Sequence, residues 1–226
     1  MEPIALVTVA VFLLLGAVLQ IVRAKFNALL KPPLRIQLVP VDDRAKGHFA
    51  ESHRRELESL GFTPIGIYSV REMPGVVLVA FAQSSQSLCA VVYRHPIAGV
   101  FSDMCCITQD DRSLTVTNAP AGANLDHKPG HDKDYVTKAS IRQLYDRALT
   151  QRPTGPYKRL DVSNFARFFE DAYAREMDWR KSRGGVTKEE VRREAHTMGI
   201  RSEKTIDQAT EKLHQQYDEP SHPGVR

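Results

Sequence analysis

The chain has 226 residues, 42% hydrophobic and 26% charged, with a formal net charge of +4. That length holds one domain with a proper core plus a smaller appendage, and the ordinary composition excludes both wholesale disorder and a multi-span membrane protein. Cys89, Cys105 and Cys106 lack metal-ligand or paired-disulfide spacing, as expected of a chain kept in a reducing compartment.

Residues 4–22 read IALVTVAVFLLLGAVLQIV, nineteen positions without a charge. As a helix this run measures about 28 Å, close to the roughly 30 Å of bilayer hydrocarbon. It is apolar on every face, unlike the single stripe of a buried surface helix. A cleaved signal peptide would want a positive n-region where this chain has Met1, Glu2 and Pro3, and Val22-Arg23-Ala24 is a poor cleavage site. The run is therefore read as a transmembrane anchor. Arg23, Lys25, Lys31 and Arg35 follow it with no acid before Val41; with Glu2 they account for +3 of the net +4, which leaves +1 for the rest. By the positive-inside rule this basic flank stays cytoplasmic and the N-terminus lies outside. Beside anionic headgroups each cation is worth about 1 kcal/mol. Basicity concentrated at the membrane also argues against nucleic acid as a partner.

Pro32 and Pro33 stop any continuation of the first helix, and residues 34–41 read as a short extended piece. Asp42 and Asp43 offer an N-cap for a helix to Leu60, with Phe49, His53, Leu57 and Leu60 near one face and Gly61 as the stop. Strand periodicity then takes over in five runs: 63–70, 76–82, 88–94, 99–108 and 113–118. The turns between them are too short for parallel crossovers, so an antiparallel meander is expected. In the second run Val77, Val79 and Phe81 share one face and Val76, Leu78 and Ala80 the other, so this sheet needs cover from helices or a partner on both sides. Residues 119–135 read as a polar loop, and 138–149 as a helix through Ile141, Leu144, Tyr145 and Ala148.

Pro153, Gly155 and Pro156 mark a linker and a boundary near residue 152. Beyond it Ser163 is placed to cap a helix to about Arg183 with a core stripe of Phe165, Phe169, Tyr173 and Met177. Thr187 and Glu190 form a capping box, with Val186 and Val191 as its staple. Ser202 caps a last helix through Ile206, Leu213 and Tyr217, and residues 218–226 read as a frayed tail. The fold class expected is thus α+β: an anchor with its basic flank (1–35), an antiparallel meander of about five strands covered by helices (36–152), and a small helical C-terminal segment (153–226).

Three constellations bear on chemistry. Asp126, His127, His131 and Asp132 are the right donors for a first-row metal, but Pro129 and Gly130 exclude the helix that would give His-x3-His its meaning. Asp103 and Cys105 share a strand face, where a thiol activated by His95 or His127 is conceivable, although apolar strand cysteines behave mostly as small hydrophobes. The stretch from Ala195 through Met198, Gly199 and Ile200 to Ser202 and Ile206 is similar to a helix-turn-helix turn. It departs from that motif at Ile206 and Gln208, and Glu203, Asp207 and Glu211 oppose phosphate binding. No glycine-rich phosphate loop, nucleophile elbow or tandem cysteine pair is present, so no cofactor is implied. The sequence favours a single-pass membrane protein, in the plasma membrane or in the inner membrane of a bacterium. Its cytoplasmic part is read as a non-enzymatic binding or scaffold module for a protein partner. The alternatives are a membrane-tethered DNA-binding regulator acting through residues 186–217 and a metal-dependent enzyme.

Overall fold

The computed structural model describes residues 33–218 apart from positions 43, 97, 121 and 198. The apolar run 4–22, the cations Arg23, Lys25 and Lys31, and the tail from 219 lie outside the described residues. Among those described, no helix is long and apolar enough to cross a membrane. Contacts divide the described chain after Arg183, and each part is described by itself.

Residues Pro33–Arg183 build a seven-stranded sheet in sequential order. Its strands are β1 (Leu38–Pro40), β2 (Thr63–Val70), β3 (Val77–Gln83), β4 (Leu88–His95), β5 (Gly99–Ile107), β6 (Ser113–Thr117) and β7 (His131–Tyr135). The expected five runs are β2 to β6, each within two residues at either end. The sheet is mixed, not purely antiparallel, and has two strands more than expected. Five pairings are antiparallel, whereas β7 lies parallel to β6 with Ser113 opposite His131 and Thr117 opposite Tyr135. The connection 118–130 is long enough for that crossover, as parallel neighbours require about a dozen residues. β7 escapes the apolar alternation because its residues are polar on both faces; the ladder to β6 makes it a strand. β1, only three residues long, is the ordered part of the extended piece 34–41.

Both faces of β3 are buried along its whole length, as its two apolar sides demand. On one face Val79, Phe81, Ala90, Val92, Met104 and Val116 pack with Leu57 of α1 (Glu51–Ser59) and Ile141, Leu144 and Ala148 of α2 (Ile141–Gln151). On the other, Leu78, Ala80, Cys89 and Val91 pack with Ile36, Leu38, Tyr68 and Phe165, the last from α3 (Phe165–Ser182). The cover is the chain's own, so β3 leaves no apolar face for a partner. α3, expected in the C-terminal segment, belongs with the sheet by its contacts: Phe165 lies 5.5 Å from the Tyr68 ring and 5.7 Å from Phe169. Its Glu170 carboxylate accepts the Leu38 N–H at 2.6 Å, and Glu72 accepts that of Gln37 at 2.6 Å, which blunts the β1 edge.

Local chemistry sets the helix ends. Residues Arg44–Ala50 wind as a tight 3-10 turn before α1, where one continuous helix is expected. At Gly47 a Cβ would meet the Ile67 side chain at 2.7 Å, so the segment lies close against the sheet. After α1, Gly61 takes φ +86°, and the Phe62 N–H reaches the Leu57 carbonyl at 3.0 Å in a Schellman closure. α2 starts at Ile141 instead of Lys138, because Ser140 and Gln143 form a reciprocal capping box while Lys138 sits at φ +59°. Ser163 does not cap α3: its hydroxyl and N–H both go to the Asp161 carboxylate.

From Gly184 onward two helices are described, α4 (Lys188–Thr197) and α5 (Glu203–Asp218). The Thr187–Glu190 box is present, with Thr187 N–H to the Glu190 carboxylate at 2.8 Å and Glu190 N–H to the Thr187 hydroxyl at 3.2 Å. Val186, Val191, Ala195, Ile206 and Leu213 are buried. Gly199 closes α4 at φ +77°, and Ser202 caps α5 by accepting the Thr205 N–H at 3.4 Å.

Candidate functional site

The histidine-rich loop does not gather its four donors. Asp126 is engaged by Arg183 at 2.9 Å, and its carbonyl by Arg180 at 2.8 Å. His127 stacks on Tyr135 at 6.2 Å with an interplanar angle of 18°, and burial, helped by Lys133, lowers its pKa to about 4. His131 pairs with the Ser113 hydroxyl at 2.9 Å and lies 3.9 Å from Asp111. Asp132, the next residue on β7, is exposed on the opposite sheet face. Among the described residues no group of three or more His, Cys, Asp or Glu side chains is placed to hold a metal ion.

The thiols are poor nucleophiles. Burial pushes Cys89 up to about 12, and burial likewise raises Cys105 and Cys106. Asp103 beside Cys105 is also raised by burial, within hydrogen-bonding reach of Thr117 and Tyr93. That sheet face therefore disfavours the thiolate that nucleophilic catalysis needs. Burial lowers His95 as well, and its Nδ1 accepts the Ala98 N–H at 3.0 Å.

In the would-be DNA reader, α4 and α5 satisfy each other. Arg192 bridges Glu189 and Glu203, and Lys188 pairs with Asp207 and lies 3.8 Å from Glu203. Lys188 and Arg192 are thus held by the acids of the same helix pair, and Gln208 is exposed instead of packed. Of the four basic residues expected to flank an anchor, Arg35 is described, and it pairs with Asp178 on α3 at 2.6 Å.

The described residues do form a recess elsewhere. A half-open cleft of about 460 Å³ lies between the β5–β6 turn at Gln109, the segment 157–160, and Asn164, Arg167, Phe168 and Asp171 at the start of α3. The segment is pinned as an irregular extra strand: Thr108 bridges Tyr157, the Gln109 N–H donates to the Pro156 carbonyl at 2.8 Å, and the Lys158 N–H donates to the Ile107 carbonyl at 2.8 Å. The Tyr157 hydroxyl donates to the Pro153 carbonyl at 2.7 Å, and the Arg152 guanidinium lies 5.0 Å from its ring centroid. Asp111 braces the turn from behind. Burial pushes its carboxyl up, but Lys158 at 3.0 Å, Arg175 at 3.5 Å and His131 outweigh this and hold it below the usual range.

Lys158 is thus spent on Asp111, and its ammonium stands 5.8 Å from the Phe168 ring centroid. Arg159 and Arg167 differ. Both residues are exposed and line the cleft, and among the described residues neither guanidinium has a hydrogen-bond or ion-pair partner. Asp171 is exposed on the same wall. The cleft thus sets two arginines beside two aromatic residues, at the N-terminal end of α3 where the helix dipole is positive. All of its lining but Gln109 comes from residues 157–171. The local signal for it is a basic residue beside an aromatic one, twice over: Tyr157-Lys158-Arg159 and Arg167-Phe168.

No protein-family model, curated protein or solved structure matches this chain.

Proposed function

We propose that this protein is a membrane-tethered binding module. Residues 4–22 anchor it once, Arg23, Lys25 and Lys31 keep the following chain cytoplasmic, and the α+β domain offers its cationic cleft to an anionic partner without chemistry of its own. The observation that carries this reading is that Arg159 and Arg167, whose guanidinium groups have no partner among the described residues, line one recess of about 460 Å³. That volume falls within the roughly 300–1,000 Å³ of small-molecule sites. The raised thiols and the scattered donors of the histidine loop favour binding over catalysis. The regulator reading is less well supported, because Lys188 and Arg192 are already paired within the helix hairpin.

Membrane tethering is tested by fractionation of full-length protein carrying a C-terminal reporter. The reading expects carbonate-resistant membrane association that is lost on deletion of residues 4–22, with the reporter on the cytoplasmic side. Carbonate-resistant retention of the deleted chain, or a reporter on the outer side, would overturn it.

A further inference from the structure

Resting on the binding-module reading, we infer that the cleft at Tyr157, Arg159, Arg167 and Phe168 is a receptor for a phosphate monoester joined through a sugar to a flat ring, of the nucleoside monophosphate class. Arg159 and Arg167, whose guanidinium groups have no partner among the described residues, line one recess, and guanidinium groups bind the oxygens of a terminal phosphate in planar, charge-assisted pairs. The positive end of α3 adds to the same preference. A bare anion would make no use of the aromatic residues: Tyr157 and Phe168 border the recess, with Arg152 and Lys158 each on one ring face, and a heterocycle stacks on the other face of such a ring with any base identity. Asp171 also lines the recess, and its carboxylate is an acceptor for sugar hydroxyls, which repels an all-anionic ligand and suits one with a neutral part. The Gln109 amide offers one donor and one acceptor edge to a base. Lys158 does not belong to the phosphate site, because Asp111 holds its ammonium at 3.0 Å.

The same phosphate monoester chemistry occurs on a phosphoinositide headgroup, and a tethered chain meets both sources. Full-length protein in phosphatidylcholine nanodiscs is titrated with adenosine 5′-monophosphate, with ribose 5-phosphate, and with adenosine. A second set of nanodiscs contains phosphatidylinositol 4-phosphate. Adenosine monophosphate is expected to bind about tenfold or more tighter than either half-ligand, with about a tenfold loss for each of Arg159→Gln and Arg167→Gln. Phe168→Leu is expected to weaken adenosine monophosphate while leaving ribose 5-phosphate unchanged, a difference that loose charge attraction would not produce. Both arginines are exposed, so their variants retain the fold; near-native circular dichroism checks Phe168→Leu. Equal affinity for ribose 5-phosphate and the nucleotide, or insensitivity to Arg159 and Arg167, overturns the inference. Arginine-dependent retention of phosphatidylinositol 4-phosphate without nucleotide binding assigns the cleft to a headgroup, which overturns the ligand class and leaves the binding-module reading standing. If no probe binds through the arginines, both fall.

Discussion

His127 makes the fold acid-sensitive in a way one substitution removes. Its half-buried ring stacks on Tyr135, and its Nδ1 is buried without a hydrogen-bond partner. Burial first, then the nearby Lys133 cation, lowers its pKa from 6.5 to about 4. In the unfolded chain the ring takes its proton as pH falls through about 6.5, whereas the native ring stays neutral until about 4. The contribution to stability is therefore full above about pH 6.5, shrinks between 6.5 and 4, and is gone below. At about 1.4 kcal/mol per pH unit that interval is worth up to about 3 kcal/mol, reduced to about 2 because the ring is partly exposed.

His127→Phe keeps the stack and discards the titration. Trp179, the chain's one tryptophan, reports on this region: its ring lies 5.9 Å from the Arg180 guanidinium and 4.8 Å from that of Arg183, and both arginines hold Asp126. Urea unfolding of full-length protein in detergent micelles, followed by Trp179 fluorescence between about pH 8 and pH 4, is expected to show a shallower acid loss in the variant, by about 2 kcal/mol. The variant should be at least as stable at about pH 8, since an unsatisfied buried nitrogen is gone. Parallel curves for the two proteins would refute the reasoning.

Three further outcomes follow from packing and capping. Phe165→Ala, which empties the site between Tyr68 and Phe169, is expected to cost about 3–5 kcal/mol in the same unfolding assay; a loss under about 1 kcal/mol would mean α3 is not docked on the sheet. Ser140→Ala should cost about 1 kcal/mol as a lost N-cap, whereas Ser163→Ala should stay within about 0.5 kcal/mol because that hydroxyl bonds only Asp161. Native protein at about pH 8 is expected to leave Cys89, Cys105 and Cys106 unalkylated by iodoacetamide, with all three labelled in urea; rapid labelling of Cys105 in the native state would reopen a nucleophilic role.

The five central strands are legible in sequence because their apolar residues alternate and their turns carry Pro74-Gly75, Pro96, Gly99 and Asp110-Asp111. Val77, Val79 and Phe81 opposite Val76, Leu78 and Ala80 announce a strand covered on both faces, and the structure supplies that cover from α1, α2 and α3. β7 is illegible for the opposite reason: His131, Asp132, Lys133, Asp134 and Tyr135 have no apolar side, and only the long-range ladder to β6 makes them a strand. The Phe165, Phe169 and Tyr173 stripe reads correctly as core, yet nothing local says that its partner is a sheet on the far side of the Pro153–Pro156 linker. The capping box at Thr187 and the N-cap at Ser202 depend on residues three apart and are visible to the position. The cleft assembles Gln109, Arg159 and Arg167 through tertiary contacts, so its chemistry appears only once the segment 156–158 is laid along the end of β5.

Hydrogen–deuterium exchange of the full-length chain in nanodiscs, with and without saturating adenosine monophosphate, tests the account most directly. The account predicts slowed exchange confined to peptides covering 107–112 and 156–171, and its disappearance in the Arg159→Gln, Arg167→Gln double variant. Protection elsewhere in the domain, or none, would contradict it.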